Sequence, residues 1–235
     1  MGEAPYMILK AYPTPRGGEV LMAHRPDTAD EPVIVSTSMH DEYGLAALSF
    51  QTGDLALDIG AYVGSVSLAL ATDWPELRVV MVEAVAENVE VIEASIQANS
   101  LESRVVVIHA AAGDGNPQPI KYAALDNVED GTFMFTNRYV GDLEVAKGPN
   151  SVIIPGVSLT DLVMEYGSAA YMKIDCEGCE YPFLDSPAVG NVARITGEYH
   201  RGTAGIVERL LRTHRVEFRP ENESVGLFDA WRLLS

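Results

Sequence analysis

The chain has 235 residues, 47% of them hydrophobic, enough for one large α/β core and too apolar for a disordered chain. Its 16 basic and 34 acidic side chains give a formal charge of −18, which repels phosphate backbones and disfavours a nucleic-acid partner. Two cysteines cannot staple a domain of this size, no signal segment opens the chain, and the most apolar window, LALDIGAYVGSVSLALA, is interrupted by Asp58, glycines and serines; the expectation is a cytoplasmic protein that does not enter a membrane.

In chain order, Met7–Ala11 and Glu19–Ala23 read as short strands around a Pro/Gly turn, and His40–Phe50 reads as a helix ending near Gly53. From Leu55 the pattern is regular. Leu55–Ile59 is a buried strand, and Ser65–Ala71 a helix stopped before Pro75. Arg78–Val82 is a strand ending in Glu83, and Ala86–Ala98 a helix with Val89, Ile92 and Ile96 on one face. Arg104–His109 is a third strand. Asp114–Gly156 breaks the alternation and reads as an inserted hairpin region containing IKYAAL and GTFMF. Ser158–Tyr166 is a helix opened by a capping box of Ser158 and Asp161. Ala170–Ile174 and Val192–Glu198 are strands, Gly205–His214 is a helix, and Arg215–Arg219 and Leu227–Leu233 are two closing strands. Strands alternating with helices predict a Rossmann-like α/β fold: a seven-stranded, mostly parallel sheet with one antiparallel strand and helices on both faces. Residues 1–50 are expected to pack on a core of 51–235, with 114–156 inserted, as one domain.

Ligands of such sheets bind outside the carboxyl ends of the strands, so the strand ends carry the functional reading. DIGAYVG places Asp58, Gly60, Ala61 and Gly64 between a strand and a helix. Glycines let backbone approach a ligand, and the helix start offers free N–H groups. The dinucleotide form G-x-G-x-x-G is absent, which disfavours an NAD-type oxidoreductase. Asp58 would repel a pyrophosphate and suits an ammonium group, as in the methionine part of S-adenosylmethionine. Glu83 ends the next strand, where an acid accepts both ribose hydroxyls. Asp114, after the third strand, is read either as a partner of the adenine amino group or as an ordinary turn acid.

DIGAYVG, the terminal Glu83, the helix with Asn88 and Asn99, VSLTDL, MKIDCEGCE and the late GEYH together resemble the FkbM-type methyltransferases. The resemblance spans about residues 40 to 200 and implies an S-adenosylmethionine-dependent enzyme of the seven-stranded class I fold, with O-methylation of a small hydroxylated metabolite or sugar. This chain departs from the family in three places: Tyr62 where Asn is usual, Ala84 where Pro is usual, and D-C-E-G-C-E where D-V-E-G-A-E is usual.

Lys173 and Asp175 are two apart on a strand and share a side, as do Glu198 and His200 on the next. A charge buried there needs a partner, so Lys173 is expected to pair with Asp175 or Glu198. Methyl transfer to a hydroxyl needs a group that takes the proton, and His200 is the natural candidate, oriented by Glu198 or Asp175. An alternative reading gives Asp175, Glu177, Glu198 and His200 to a divalent cation such as Mg. No N-P-P-Y-like segment follows the fourth strand, which argues against methylation of base amines. A non-catalytic cofactor- or partner-binding protein also remains open. The acceptor pocket is expected between the first forty residues and the 114–156 insertion, with Phe133, Phe135 and Tyr139 as candidate linings. Cys176 and Cys179 stand in C-x-x-C, but no second pair completes a zinc site, and they occupy positions where the family carries Val and Ala; they read as small packing residues.

Overall fold

The structure is a computed structural model that describes residues 6–124, 135–139 and 151–233. Two antiparallel strands, β1 (Ile8–Pro13) and β2 (Glu19–His24), open the chain, followed by α1 (Asp30–Val35). The expected helix at 40–50 is absent. α1 runs on into a wider π-type turn over Ser36–His40, Asp41 turns left-handed at φ 47°, and only a short 3-10 turn covers Leu45–Ala47. The Asp41 carboxylate accepts the backbone N–H groups of Leu45 and Ala46, an alternative to helical pairing that short acids favour.

Then follow β3 (Leu55–Ile59), α2 (Ser65–Asp73), β4 (Arg78–Glu83), α3 (Ala86–Ala98) and β5 (Val105–His109), close to the sequence reading. β6 (Ala111–Gly113) precedes the insertion, which contributes β7 (Gln118–Ala124), β8 (Phe135–Tyr139) and β9 (Ser151–Ile154), with β8 and β9 both antiparallel to β7. β10 (Gly156–Ser158) pairs with β6. Phe133, and the side chains of Phe135 and Tyr139, lie outside the described residues, so the expected acceptor-pocket aromatics are not placed.

α4 (Leu159–Tyr166) carries the predicted capping box: the Ser158 hydroxyl accepts from the Asp161 N–H, and the Asp161 carboxylate accepts from the Ser158 N–H. β11 (Tyr171–Ile174), α5 (Glu180–Leu184), β12 (Arg194–Tyr199), α6 (Ala204–Leu210), β13 (His214–Pro220) and β14 (Gly226–Arg232) complete the chain. α5 was not expected from the sequence, because five residues are too few to show a helical period.

The main sheet has the order β5-β4-β3-β11-β12-β14-β13, with β14 antiparallel to both neighbours. β3 is buried at all five positions, as a central parallel strand covered on both faces must be. One core cluster packs α4, α5 and α6 against one face of the sheet; a second packs α2, α3 and the N-terminal strands against the other. α3 buries Asn88, Val91, Ile92, Ser95 and Ile96, and the Ser95 hydroxyl accepts the Ala23 N–H, tying β2 to the helix. β3 and β11 are sequence-distant neighbours from which the chain winds outwards in both directions. The gap at their carboxyl ends is therefore the switch point where such sheets hold ligands. Among the described residues no helix is long and apolar enough to cross a membrane.

Candidate active site

The turn after β3 is built against the end of β11. Gly60 has φ +76°, and a Cβ there would stand 1.9 Å from the Asp175 carbonyl oxygen, so only glycine fits. The Gly60 and Ala61 N–H groups both donate to the Val82 carbonyl, at 2.9 and 3.1 Å, which seats the turn on β4. Gly64 caps α2 with φ +80°.

Asp58 is 1% exposed and lines no cavity found among the described residues. It accepts the Ser67 hydroxyl at 2.7 Å, and its Oδ1 lies 3.4 Å from Lys173 Nζ. The expected ion pair of Lys173 with Asp175 or Glu198 gives way to this one. Asp58 and Lys173 are register partners on adjacent parallel strands, and Lys173 Nζ also donates to the Gly60 carbonyl at 2.7 Å. Burial lowers the lysine pKa, but Asp58 and then Asp175 outweigh it and hold the ammonium charged. Asp58 thus supports the turn from beneath, with Ser67 on one carboxylate oxygen and the Lys173 ammonium beside the other.

Above the turn lies a cavity of about 400 Å3, within the roughly 300–1,000 Å3 of small-molecule sites. Pro32 and Val33 of α1, Tyr43, the 60–66 turn, Glu83, Asn88, Asp175 and Glu198 wall it. A narrow slot adjoins it, sharing Gly60, Glu83 and Cys176 and continuing between Ala84, Ala110–Ala112 and Gln118. Glu83 therefore sits where the two spaces meet. Its Oε1 accepts from the Val85 N–H at 2.9 Å and Asn88 Nδ2 at 3.1 Å, and its Oε2 from the Tyr62 N–H at 2.8 Å. Burial raises its pKa, offset in part by these bonds.

Asp114 stands away from both spaces. It is exposed, and its carboxylate accepts from Asn116 and, at 3.1 Å, from Gln118 Nε2. The turn-acid reading describes it. The side chain on the slot wall is Gln118, which the sequence analysis missed because it lies in the insertion, outside the regular pattern.

The ends of β11 and β12 bring together four predicted residues. His200 Nε2 lies 3.9 Å from Asp175 Oδ1, 3.8 Å from Glu177 Oε2 and 3.9 Å from Glu198 Oε1. Its Nδ1 is 3.0 Å from Oε1 of Glu180, a fully buried acid that sequence reasoning did not single out. Burial lowers the imidazole pKa, but the bond to Glu180 and the charges of Asp175 and Glu177 dominate and raise it to about 9. His200 is thus an imidazolium at neutral pH. Burial, and then the charge of Asp175, push Glu198 up to about 7. Tyr43, in the segment read as a helix, donates its hydroxyl to Asp175 Oδ2 at 2.9 Å. Glu42 from the same segment also lines the cavity, and burial raises its pKa.

Cys176 and Cys179 are buried among core residues, as expected, but their sulfurs are bonded to each other as a disulfide. The cause is local: Glu177 and Gly178 both turn at positive φ, which folds the loop back so that the two Cα atoms stand 5.4 Å apart.

A methyltransferase FkbM domain model matches residues 58–231. Precorrin-6y C5,15-methyltransferase from Geobacter metallireducens GS-15 is similar in structure, with a TM-score of 0.50 at 15% identity over 88% of this chain and 93% of that one. The C-terminal domain of precorrin-6Y C5,15-methyltransferase from Rhodobacter capsulatus gives 0.43 at 17%, over 89% and 92%. The methyltransferase domain of METTL16 gives 0.46 at 12%, over 83% and 65%. No curated protein matches. The likeness to solved structures extends to the fold, a Rossmann-like class I methyltransferase sheet. With the family model covering well over half of its length, the chain belongs to the FkbM methyltransferase family, whose class I fold implies S-adenosylmethionine as methyl donor.

Proposed function

We propose that the protein transfers a methyl group from S-adenosylmethionine to a hydroxyl of a small molecule in the cytoplasm, a metabolite, sugar or natural product. One observation carries the reading: the glycine turn, Glu83 and the carboxylates of Asp175, Glu177 and Glu198 at the ends of β11 and β12 all line one cavity. The residues fit the donor. The turn at Gly60 tolerates no side chain, and Glu83 Oε2 accepts from one donor among the described residues and keeps acceptor capacity for a ribose hydroxyl. When bound, S-adenosylmethionine supplies the electrophilic methyl group.

The rest is done by the chain. Glu42, Asp175 and Glu198 line the cavity with negative charge, which suits a cationic donor. Tyr43 holds Asp175, and Glu180 holds His200. Glu198 takes the proton of the acceptor hydroxyl, because it reaches the cavity and its carboxyl is poised near neutrality, whereas His200 is already protonated and serves to hold the carboxylates. Titration with S-adenosylhomocysteine and with NADH, followed by labelled-methyl transfer to a panel of hydroxylated acceptors, tests this. Binding of S-adenosylhomocysteine with transfer to oxygen supports it. Binding of NADH instead, or of neither ligand, sinks it.

A second reading rests on the ligating atoms of Asp175, Glu198 and His200, which all lie within 4.8 Å of one another. With Glu180 on Nδ1, His200 has the arrangement of a metal-binding imidazole oriented by a carboxylate. Under that reading Asp175, Glu198 and His200, with Glu177 nearby, would hold a cation such as Mg, which would supply a positive charge to polarise the acceptor hydroxyl. Loss of turnover in EDTA and its return with Mg favour the metal; full turnover in EDTA removes it.

A further inference from the structure

Behind Glu83 stands a buried ion pair from the N-terminal segment. Arg25 is 5% exposed and Asp30 0%, and neither lines the cavity. The guanidinium grips the carboxylate with two bonds, Nε to Oδ2 and an Nη to Oδ1, both 2.8 Å, and the Arg25 N–H adds a third to Oδ2 at 2.9 Å. Thr28 closes the loop between them, donating to the Arg25 carbonyl and accepting the Asp30 N–H. A buried pair of this kind is no better for stability than well-packed apolar side chains of the same volume. What the charges do hold in place can be read from their bonds.

Two arms run from the pair to Glu83. On one, Arg25 donates to Asn88 Oδ1 at 2.8 Å, and Asn88 Nδ2 donates to Glu83 Oε1 at 3.1 Å. On the other, Tyr62 donates its hydroxyl to Asp30 Oδ1 at 2.8 Å while its N–H donates to Glu83 Oε2 at 2.8 Å. The bonds form a closed ring that touches both oxygens of the Glu83 carboxylate. Tyr62 has φ 54°, a left-handed backbone that tyrosine rarely adopts and that aims its N–H at Glu83. Fixing its hydroxyl on Asp30 is what keeps that unfavourable backbone in position.

We infer that Arg25 and Asp30 are positioning residues that set the ribose selectivity of the donor site, by holding Glu83 through Asn88 and Tyr62 so that its remaining acceptor capacity meets a ribose hydroxyl. The inference rests on the reading of Glu83 as the ribose acid. The test compares binding of S-adenosylhomocysteine with its 2′-deoxyribose analogue to the full chain, by calorimetry, with thermal unfolding of each variant alongside. The wild type should prefer the ribose form by about tenfold or more, and Glu83→Gln should abolish the preference. Asp30→Asn and Tyr62→Phe should each shrink it to about twofold, with Tyr62→Phe, which removes one hydroxyl, deciding the matter should Asp30→Asn fail to fold. Variants that bind more weakly overall but keep the wild-type preference would show the ring to be structural only and overturn the inference, with the Glu83 reading intact. A wild type without preference, or a Glu83→Gln protein that retains it, removes the Glu83 reading and the inference with it.

Discussion

Lys173 and Asp58 pair across two neighbouring strands at 3.4 Å, both buried, directly beneath the glycine turn that opens the candidate site. The same ammonium reaches the Gly60 carbonyl, so the pair fixes the height of the turn above the sheet. Four predictions can be measured, three at the site and one elsewhere in the fold.

Lys173→Met leaves Asp58 buried with only Ser67 as a partner. An uncompensated buried charge costs about 3–5 kcal/mol, so the midpoint of thermal unfolding should drop sharply. The double variant Lys173→Met with Asp58→Asn should recover much of the loss. A double variant no more stable than the single one would mean that the pair's contribution is not electrostatic.

Gly60→Ala meets two obstacles at once, the positive φ and the Asp175 carbonyl 1.9 Å from the new Cβ. A destabilisation of about 3 kcal/mol and loss of S-adenosylhomocysteine binding are expected. Gly44, also at positive φ but with nothing within 4 Å of its would-be Cβ, is the control: Gly44→Ala should cost about 1 kcal/mol and leave binding unchanged.

Glu198→Gln keeps the shape of the cavity and removes the proton acceptor. Turnover should fall by about a hundredfold or more while S-adenosylhomocysteine affinity stays within about twofold. Full turnover in this variant would assign the proton to another group.

His214 is buried far from the site, with its Nε2 2.9 Å from the Val192 carbonyl and Nδ1 2.8 Å from the Thr213 hydroxyl. Burial lowers its pKa below the usual 6.5. The unfolded chain therefore binds this proton more readily. The stability tied to the neutral ring is present above pH 6.5 and is lost as pH falls through the lower folded value. His200 and Glu198, whose pKa values are raised, act in the opposite direction and alike in both proteins, so as pH falls from 7.5 to 5 the denaturant midpoint of the wild type should decline relative to that of His214→Gln.

The elements from Leu55 to His109 were legible because period-2 and period-3.6 patterns are local properties, and a central strand such as β3 shows its burial as an apolar run broken by Asp58 alone. The glycine turn and the terminal Glu83 were legible for a related reason: backbone freedom and a strand-end acid at the expected spacing need no knowledge of distant residues. The N-terminal segment was misread at His40–Phe50 because its conformation is set by the Asp41 side chain and by packing over the cavity, neither of which has a period.

The sequence by itself determined the seven-stranded sheet, the chain order of its strands and the family. Which charges meet was decided by the tertiary structure. Lys173 and Asp58 are far apart in the chain and become partners only through the parallel register of β11 on β3. Asp58 leaves the cavity wall and Asp114 remains an exposed turn acid for the same reason: a carboxylate's partners are chosen by distances of a few ångströms that a linear pattern does not encode. The protonation of His200 follows likewise from Glu180, Asp175 and Glu177 converging on one ring, and Arg25 and Asp30 reach Asn88 and Tyr62 only because β2 packs on α3 and α1 on β2.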